Sequence, residues 1–310
     1  MNLLRDIDAP GFPNDYLITR IKGRRAALIA DWKAARTHGL TPGTSDERIW
    51  EALLNQLEWL YVQMNRTLRE CFAPVFVLLE LKTIVLCLRN KEAGRVTEID
   101  TLLTHTLLSD AVRQVLHDRP DVRSSITTLI ETTAGALPGL REAATAYAEQ
   151  GLRGFEDSFM RGYLAYTAKT QLHPLIQQFL RAFVDLRNVM VLYKQLRWGI
   201  EDAGVFIEGG TFELSRLVRL LASKELNAWE ELAKEATALK VVPAAASEGA
   251  LETVLLTSLT ERLRQIGRDE DGVGLILDYI WRIYVHARNL AVLYHAPDLG
   301  EATLERELIA

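Results

Sequence analysis

Three stretches of the chain carry one pattern. Glu80-Leu-Lys-Thr-Ile-Val-Leu-Cys-Leu-Arg89 is the first, Asp185-Leu-Arg-Asn-Val-Met-Val-Leu-Tyr-Lys194 the second and His286-Ala-Arg-Asn-Leu-Ala-Val-Leu-Tyr-His295 the third. Two residues in, each has a base: Lys82, Arg187 or Arg288. The next residue is small and polar (Thr83, Asn188, Asn289), and an aliphatic follows it (Ile84, Val189, Leu290). Five residues beyond each stretch stands a glycine, Gly94, Gly199 or Gly300, at spacings of 105 and 101 residues. A helix with basic residues in its last turn commonly stops at glycine. Three such stops in one phase point to an internal repeat, longer in period than the short solenoid repeats. The expectation is an all-α protein built from three similar helical units, approximately 1–95, 96–203 and 204–310, forming one domain.

Composition agrees with a globular helical chain. Of 310 residues, 48% are apolar and 25% charged, ample for a large core. The net charge of −5 is the wrong sign for general nucleic-acid binding. The two cysteines, Cys71 and Cys87, show neither metal spacing nor a disulfide framework, and both lie in an apolar stretch. They read as reduced, buried thiols of a cytosolic protein.

Period-2 alternation is rare, whereas helical periodicity recurs throughout. Asn14 is placed to cap a first helix running to about Thr37. Thr44-Ser-Asp-Glu47 reads as a capping box opening a second, with Ile49, Leu53, Leu57, Leu60 and Met64 on one face. The first repeated helix is expected to start after Pro74, the second near Pro174 and the third near Val273. Shorter helices are expected around 100–108, 110–117 and 122–133. A long polar-faced helix should follow Pro138-Gly139, with Gly151 and Gly154 near its end. The 71–88 stretch is the nearest approach to a membrane span. It contains Glu80 and Lys82, each costing roughly 2.5–3.5 kcal/mol at mid-bilayer, so a helix buried in protein is expected instead. The N-terminus has no signal-peptide core.

Catalytic patterns are missing. The chain has no P-loop and no G-x-S-x-G elbow, and Gly272-Val-Gly274 is no dinucleotide fingerprint. Asp269-Glu-Asp271 lacks the other ligands of a calcium loop. His286 and His295 are nine residues apart and face different ways on a helix, unlike a metal pair. Gly209-Gly210 could cradle an anion or simply make a tight turn. No cofactor and no metal site are expected.

The residues resemble the C subunit of the archaeal and bacterial A/V-type rotary ATPases, known as the d subunit in the eukaryotic V-type enzyme. Tyr16-Leu-Ile-Thr-Arg20-Ile-Lys resembles the family's opening. Asp185-Leu-Arg-Asn188-Val with Phe206-Ile-Glu-Gly-Gly210 resembles its acidic-x-x-N-L segment and Gly-Gly turn, and Gly272-Val-Gly-Leu-Ile-Leu-Asp-Tyr279 its C-terminal segment. The family's repeat is commonly E-x-x-N-[LI]-R; this chain departs from it at His286, at Thr83 and at Val85, Met190 and Ala291.

The resemblance implies a pseudo-threefold helical funnel. It implies a non-catalytic central-stalk protein that couples the central shaft to the membrane rotor ring for proton or sodium transport, peripheral on the cytoplasmic face and without membrane insertion. Lys82, Arg187, Asn188, Arg288 and Asn289 are the candidates for the shaft-facing surface, the other reading being buried networks within each unit. A stand-alone helical scaffold, or a metal-dependent all-α enzyme of terpene-synthase type, would be the alternatives. The enzyme would need a second carboxylate motif to partner Asp269-Glu-Asp271.

Overall fold

The computed structural model describes residues 3–38, 40, 43–133, 137–237, 248–268, 272–296 and 307–309; of these, the side chains of 29–34 and 36–38 are left aside. Among the described residues the chain is all-α, with twelve α-helices and a single isolated β-bridge, Leu4 with Leu108. It divides into two compact units, residues 1–166 and 167–310.

The first unit holds α1 (Asn14–His38), α2 (Asp46–Gln63), α3 (Arg66–Glu92), α4 (Val96–Leu103), α5 (Asp110–Asp118), α6 (Val122–Thr132) and most of α7 (Leu140–Lys169). The buried face of α2 is the expected one, with Ile49, Leu53, Leu57 and Leu60 inside and Met64 buried just past its end. Its cap is Ser45 rather than Thr44. Ser45 has an extended backbone and its Oγ accepts from the Arg48 N–H at 3.3 Å. A serine one residue nearer the helix reaches an orphan first-turn donor equally well.

The long helix α3 starts earlier than expected, at Arg66, because Asn65 caps it by accepting from the Leu68 N–H. Pro74 therefore lies inside the helix. A proline there removes one rung of the helical ladder. Its own carbonyl gains an extra donor, the Tyr163 hydroxyl at 2.8 Å. By length and composition α3 could cross a membrane. In this fold Phe72, Phe76, Ile84 and Leu88 are wholly buried, and α3 packs on α4, α5 and α6. Each such side chain contributes about 1.5–3 kcal/mol of burial, which identifies α3 as the core helix of its unit. Cys87 is buried on it, but Cys71 is only half-buried.

The expected helix over 100–108 is shorter and earlier, ending at Leu103. Residues 104–109 run as irregular chain, pinned by Arg5 N–H to Leu107 O and by Ser109 N–H to Leu3 O. Within α7, Gly151 takes φ 68°, ψ −158°, so two helices meet there at a kink, where the sequence places a glycine near a helix end.

The second unit holds α8 (Pro174–Trp198), α9 (Leu214–Ser223), α10 (Leu226–Thr237), α11 (Glu248–Ile266) and α12 (Val273–His295). Its centre is α8, which packs against all four of the others. Pro174 sits in the first turn as expected, and Gly199 ends the helix in the left-handed conformation, φ 66°. Gly94 takes the same conformation after α3, φ 71°. In both stops the residue after the glycine donates back five residues, Arg95 to Asn90 O and Ile200 to Gln195 O. Gly300 and Asp269-Glu-Asp271 lie outside the described residues.

Candidate partner interface

Several of the repeated positions handle backbone. Asn188 is fully buried on α8. Its Nδ2 donates to Ile207 O at 2.8 Å, and its Oδ1 accepts from Ile207 N–H at 2.8 Å. Asn289 on α12 is 3% exposed and does the same to Ile309, at 2.8 and 3.0 Å. An asparagine amide is a planar donor–acceptor pair, so it can satisfy one residue's N–H and C=O together. The two partners lie 19 and 20 residues beyond their asparagines. The first copy has Thr83, also fully buried, whose Oγ1 accepts instead from Trp50 Nε1 of α2 at 3.1 Å.

The acidic first position is equally regular. Glu80 is fully buried; it accepts from Leu107 N–H at 2.6 Å and from the Thr106 hydroxyl at 2.8 Å. Asp185, 5% exposed, accepts from Thr211 N–H at 2.8 Å and Phe212 N–H at 3.3 Å. Both carboxylates reach 26 and 27 residues forward, so helix residue and target share the 105-residue spacing. Burial pushes both carboxyl groups above the usual range, although the bonds they accept pull the other way.

The Gly209-Gly210 turn holds the protein's own Asp185 carboxyl group. The turn aims the N–H groups of Thr211 and Phe212 at Asp185. Gly209 has φ 98°, and a β-carbon on it would meet Ala168 Cβ at 2.0 Å.

The bases are less buried than the amides. Lys82 is exposed, with its Nζ 4.3 Å from the Trp50 ring centre. Arg187 is half-buried. Arg288 donates to Glu307 O at 3.1 Å and to Thr253 Oγ1 at 3.2 Å, tying α12 to α11 and to the segment at 307–309. Burial raises the Tyr284 hydroxyl pKa, with Glu252 adding to the rise and the charges of Arg288 and Arg187 opposing it.

The structure thus gathers Arg187, Asn188, Arg288 and Asn289 in the second unit and leaves Lys82 in the first. Both amides are spent on their own unit's backbone, so only the bases retain surface.

One residue of the same kind escaped the sequence reading. Gln195 is buried near the end of α8; it donates from Nε2 to Asp202 O at 2.7 Å and accepts from Asp202 N–H at 2.9 Å. An amide seven residues after Asn188 on an apolar face was the available signal. Chemically, Glu80, Asp185, Asn188, Gln195 and Asn289 all order main chain. Among the described residues no three His, Cys, Asp or Glu side chains cluster closely enough to hold a metal ion.

Comparison with known proteins bears on the same stretches. A sequence model of the ATP synthase (C/AC39) subunit family matches residues 30–299, and thus spans all three repeated helices. The match starts after Tyr16–Arg25, the stretch that resembles the family's opening. No curated protein matches the chain. With an all-helical fold and a match over most of its length, the chain belongs to the ATP synthase (C/AC39) subunit family of A/V-type ATPases.

Proposed function

We propose that this chain is the non-catalytic central-stalk component that joins the shaft of a rotary ATPase to its membrane rotor ring. Torque passes through it in proton or sodium transport, and it sits peripherally on the cytoplasmic side, held by its partners. The observation that carries this reading is the family match over residues 30–299. The internal contacts support it. A part that transmits torque must resist shear between successive segments, and buried side chains that clamp main chain 19 to 27 residues away supply that stiffness.

We further propose that residues 1–95, 96–203 and 204–310 are three copies of one unit about a common axis. The clamps support this: Glu80 and Asp185 act alike, as do Asn188 and Asn289. Partner contact falls to the bases Lys82, Arg187 and Arg288, while Asn188 and Asn289 shape that surface from beneath. Charged groups of this kind make a wet, oriented interface.

The test is purification of the tagged chain from native membranes in mild detergent. Shaft and ring proteins should co-purify in fixed ratio. A chain that purifies alone, or with an unrelated assembly, would favour the stand-alone scaffold.

A further inference from the structure

Several arginines among the described residues are neutralised by a carboxylate: Arg5 by Glu58, Arg89 by Glu156, Arg216 by Glu235 and Arg282 by Asp278. On one surface of the first unit two neighbouring arginines have neutral partners instead. Arg20 donates from Nη1 to the Tyr16 hydroxyl at 3.2 Å, and its guanidinium carbon lies 5.7 Å from the Tyr16 ring centre and 5.6 Å from that of Trp59. Arg24, one helical turn on, stacks 3.7 Å above the same Trp59 ring and donates to Gln56 Oε1 at 2.8 Å. Every one of these partners is neutral. Lys22 is exposed between them. No carboxylate among the described residues pairs with Arg20, Lys22 or Arg24.

The geometry is that of a site prepared in advance. A guanidinium laid on an aromatic face is fixed in direction yet keeps its charge and its N–H edge. That edge matches a carboxylate in paired hydrogen bonds. Since both guanidinium carbons are referred to one ring, they are no more than 9.3 Å apart, the sum of 5.6 and 3.7 Å. Two carboxylates one turn apart on a helix are separated by about 5.4 Å along its axis, which suits that gap. Beside the cations the stripe turns apolar: Phe12 and Tyr16 are 40% and 46% exposed, their ring centres 4.8 Å apart. Exposed aromatics next to arginine are the residue types that dominate binding energy at protein interfaces.

We propose that the stripe Phe12–Tyr16–Arg20–Trp59–Arg24 docks a helical segment of a partner protein bearing one apolar side chain and two carboxylates about a turn apart. Charge complementarity selects this occupant. In a chain of net charge −5, a local cationic stripe steers an acidic protein segment, whereas the chain as a whole is repelled by an anionic lipid surface. Four of the five stripe residues precede the start of the family match at residue 30, so the proposal goes beyond the rotor reading and stands without it.

The experiment places a photo-crosslinking benzophenone amino acid at Phe12 in the full chain, in the cells that make it, and sequences the adduct. The expected adduct is a peptide with two Asp or Glu residues three or four apart. Its yield should fall at least about tenfold in R20E/R24E and return when the partner's two acids are changed to lysine. R20Q/R24Q, which removes charge without reversing it, should also lose the adduct while melting like the parent. A lipid adduct, a peptide without paired acids, an adduct indifferent to the charge swap, or no adduct would each overturn the proposal.

Discussion

The carboxylate of Asp185 and the main chain of Gly210 approach so closely that no side chain fits between them: a β-carbon on Gly210 would lie 2.1 Å from Asp185 Oδ1. Gly210 itself does not need a left-handed backbone, so the glycine is required by the carboxylate and by nothing else in its conformation. G210A should cost about 2–3 kcal/mol, because the carboxylate must leave the Thr211 and Phe212 donors. D185A should cost a similar amount. The double variant should cost clearly less than the two together, since the clash and the lost bonds are one event. Urea denaturation of the three variants measures this; simple additivity would contradict it.

The amide clamps give a second expectation. N188A leaves both Ile207 groups without their partner in the core, and should destabilise by about 2–4 kcal/mol. N188D should be no better at neutral pH, because a carboxylate accepts from Ile207 N–H but has nothing to donate to Ile207 O. N289A should loosen the segment at 307–309, read as faster amide exchange at Ile309.

Buried carboxylates set the pH response. Glu80 and Asp185 have folded pKa values raised by burial from ordinary values of 4.5 and 3.8. Above those ordinary values the unfolded chain has released protons that the folded chain still holds. Stability therefore falls as pH rises from about 4 through the raised folded values. E80Q keeps an acceptor for Leu107 N–H and removes the titration, so it should flatten this decline. Melting temperatures from pH 4 to 8 test the sign; a steeper decline in E80Q would contradict it.

Much of this was legible in the sequence, for reasons that particular residues make plain. The span of α8 followed from Pro174 and Gly199, two local signals that act within one turn. The face of α2 followed from the spacing of Ile49 to Met64. The start of α3 did not, because Pro74 looks like a boundary and is tolerated only through tertiary packing. The repeat put Asn188 and Asn289 at one aligned position, but their partners Ile207 and Ile309 lie beyond the reach of any local pattern. Gln195 was passed over for the same reason: its target, the backbone of Asp202, sits in the loop after the helix stop.

The thiols differ in reach. Cys87 is buried and burial pushes its pKa well up, which suppresses the thiolate; Cys71 is half-buried. A thiol reagent should modify one cysteine of the native chain slowly and the second only on unfolding. Equal rates would mean that α3 is not the well-packed core helix of its unit.

The central claim is mechanical coupling, and one measurement addresses it most directly. Vesicles carrying the rotary complex without this chain are compared with vesicles to which the purified chain has been restored, and ATP hydrolysis and ATP-driven ion uptake are recorded together. Without the chain, hydrolysis should continue while uptake is lost; restoring it should recover uptake, and R187A should recover less while folding normally. Full ion uptake in the absence of the chain, or hydrolysis of ATP by the isolated chain, would contradict the account.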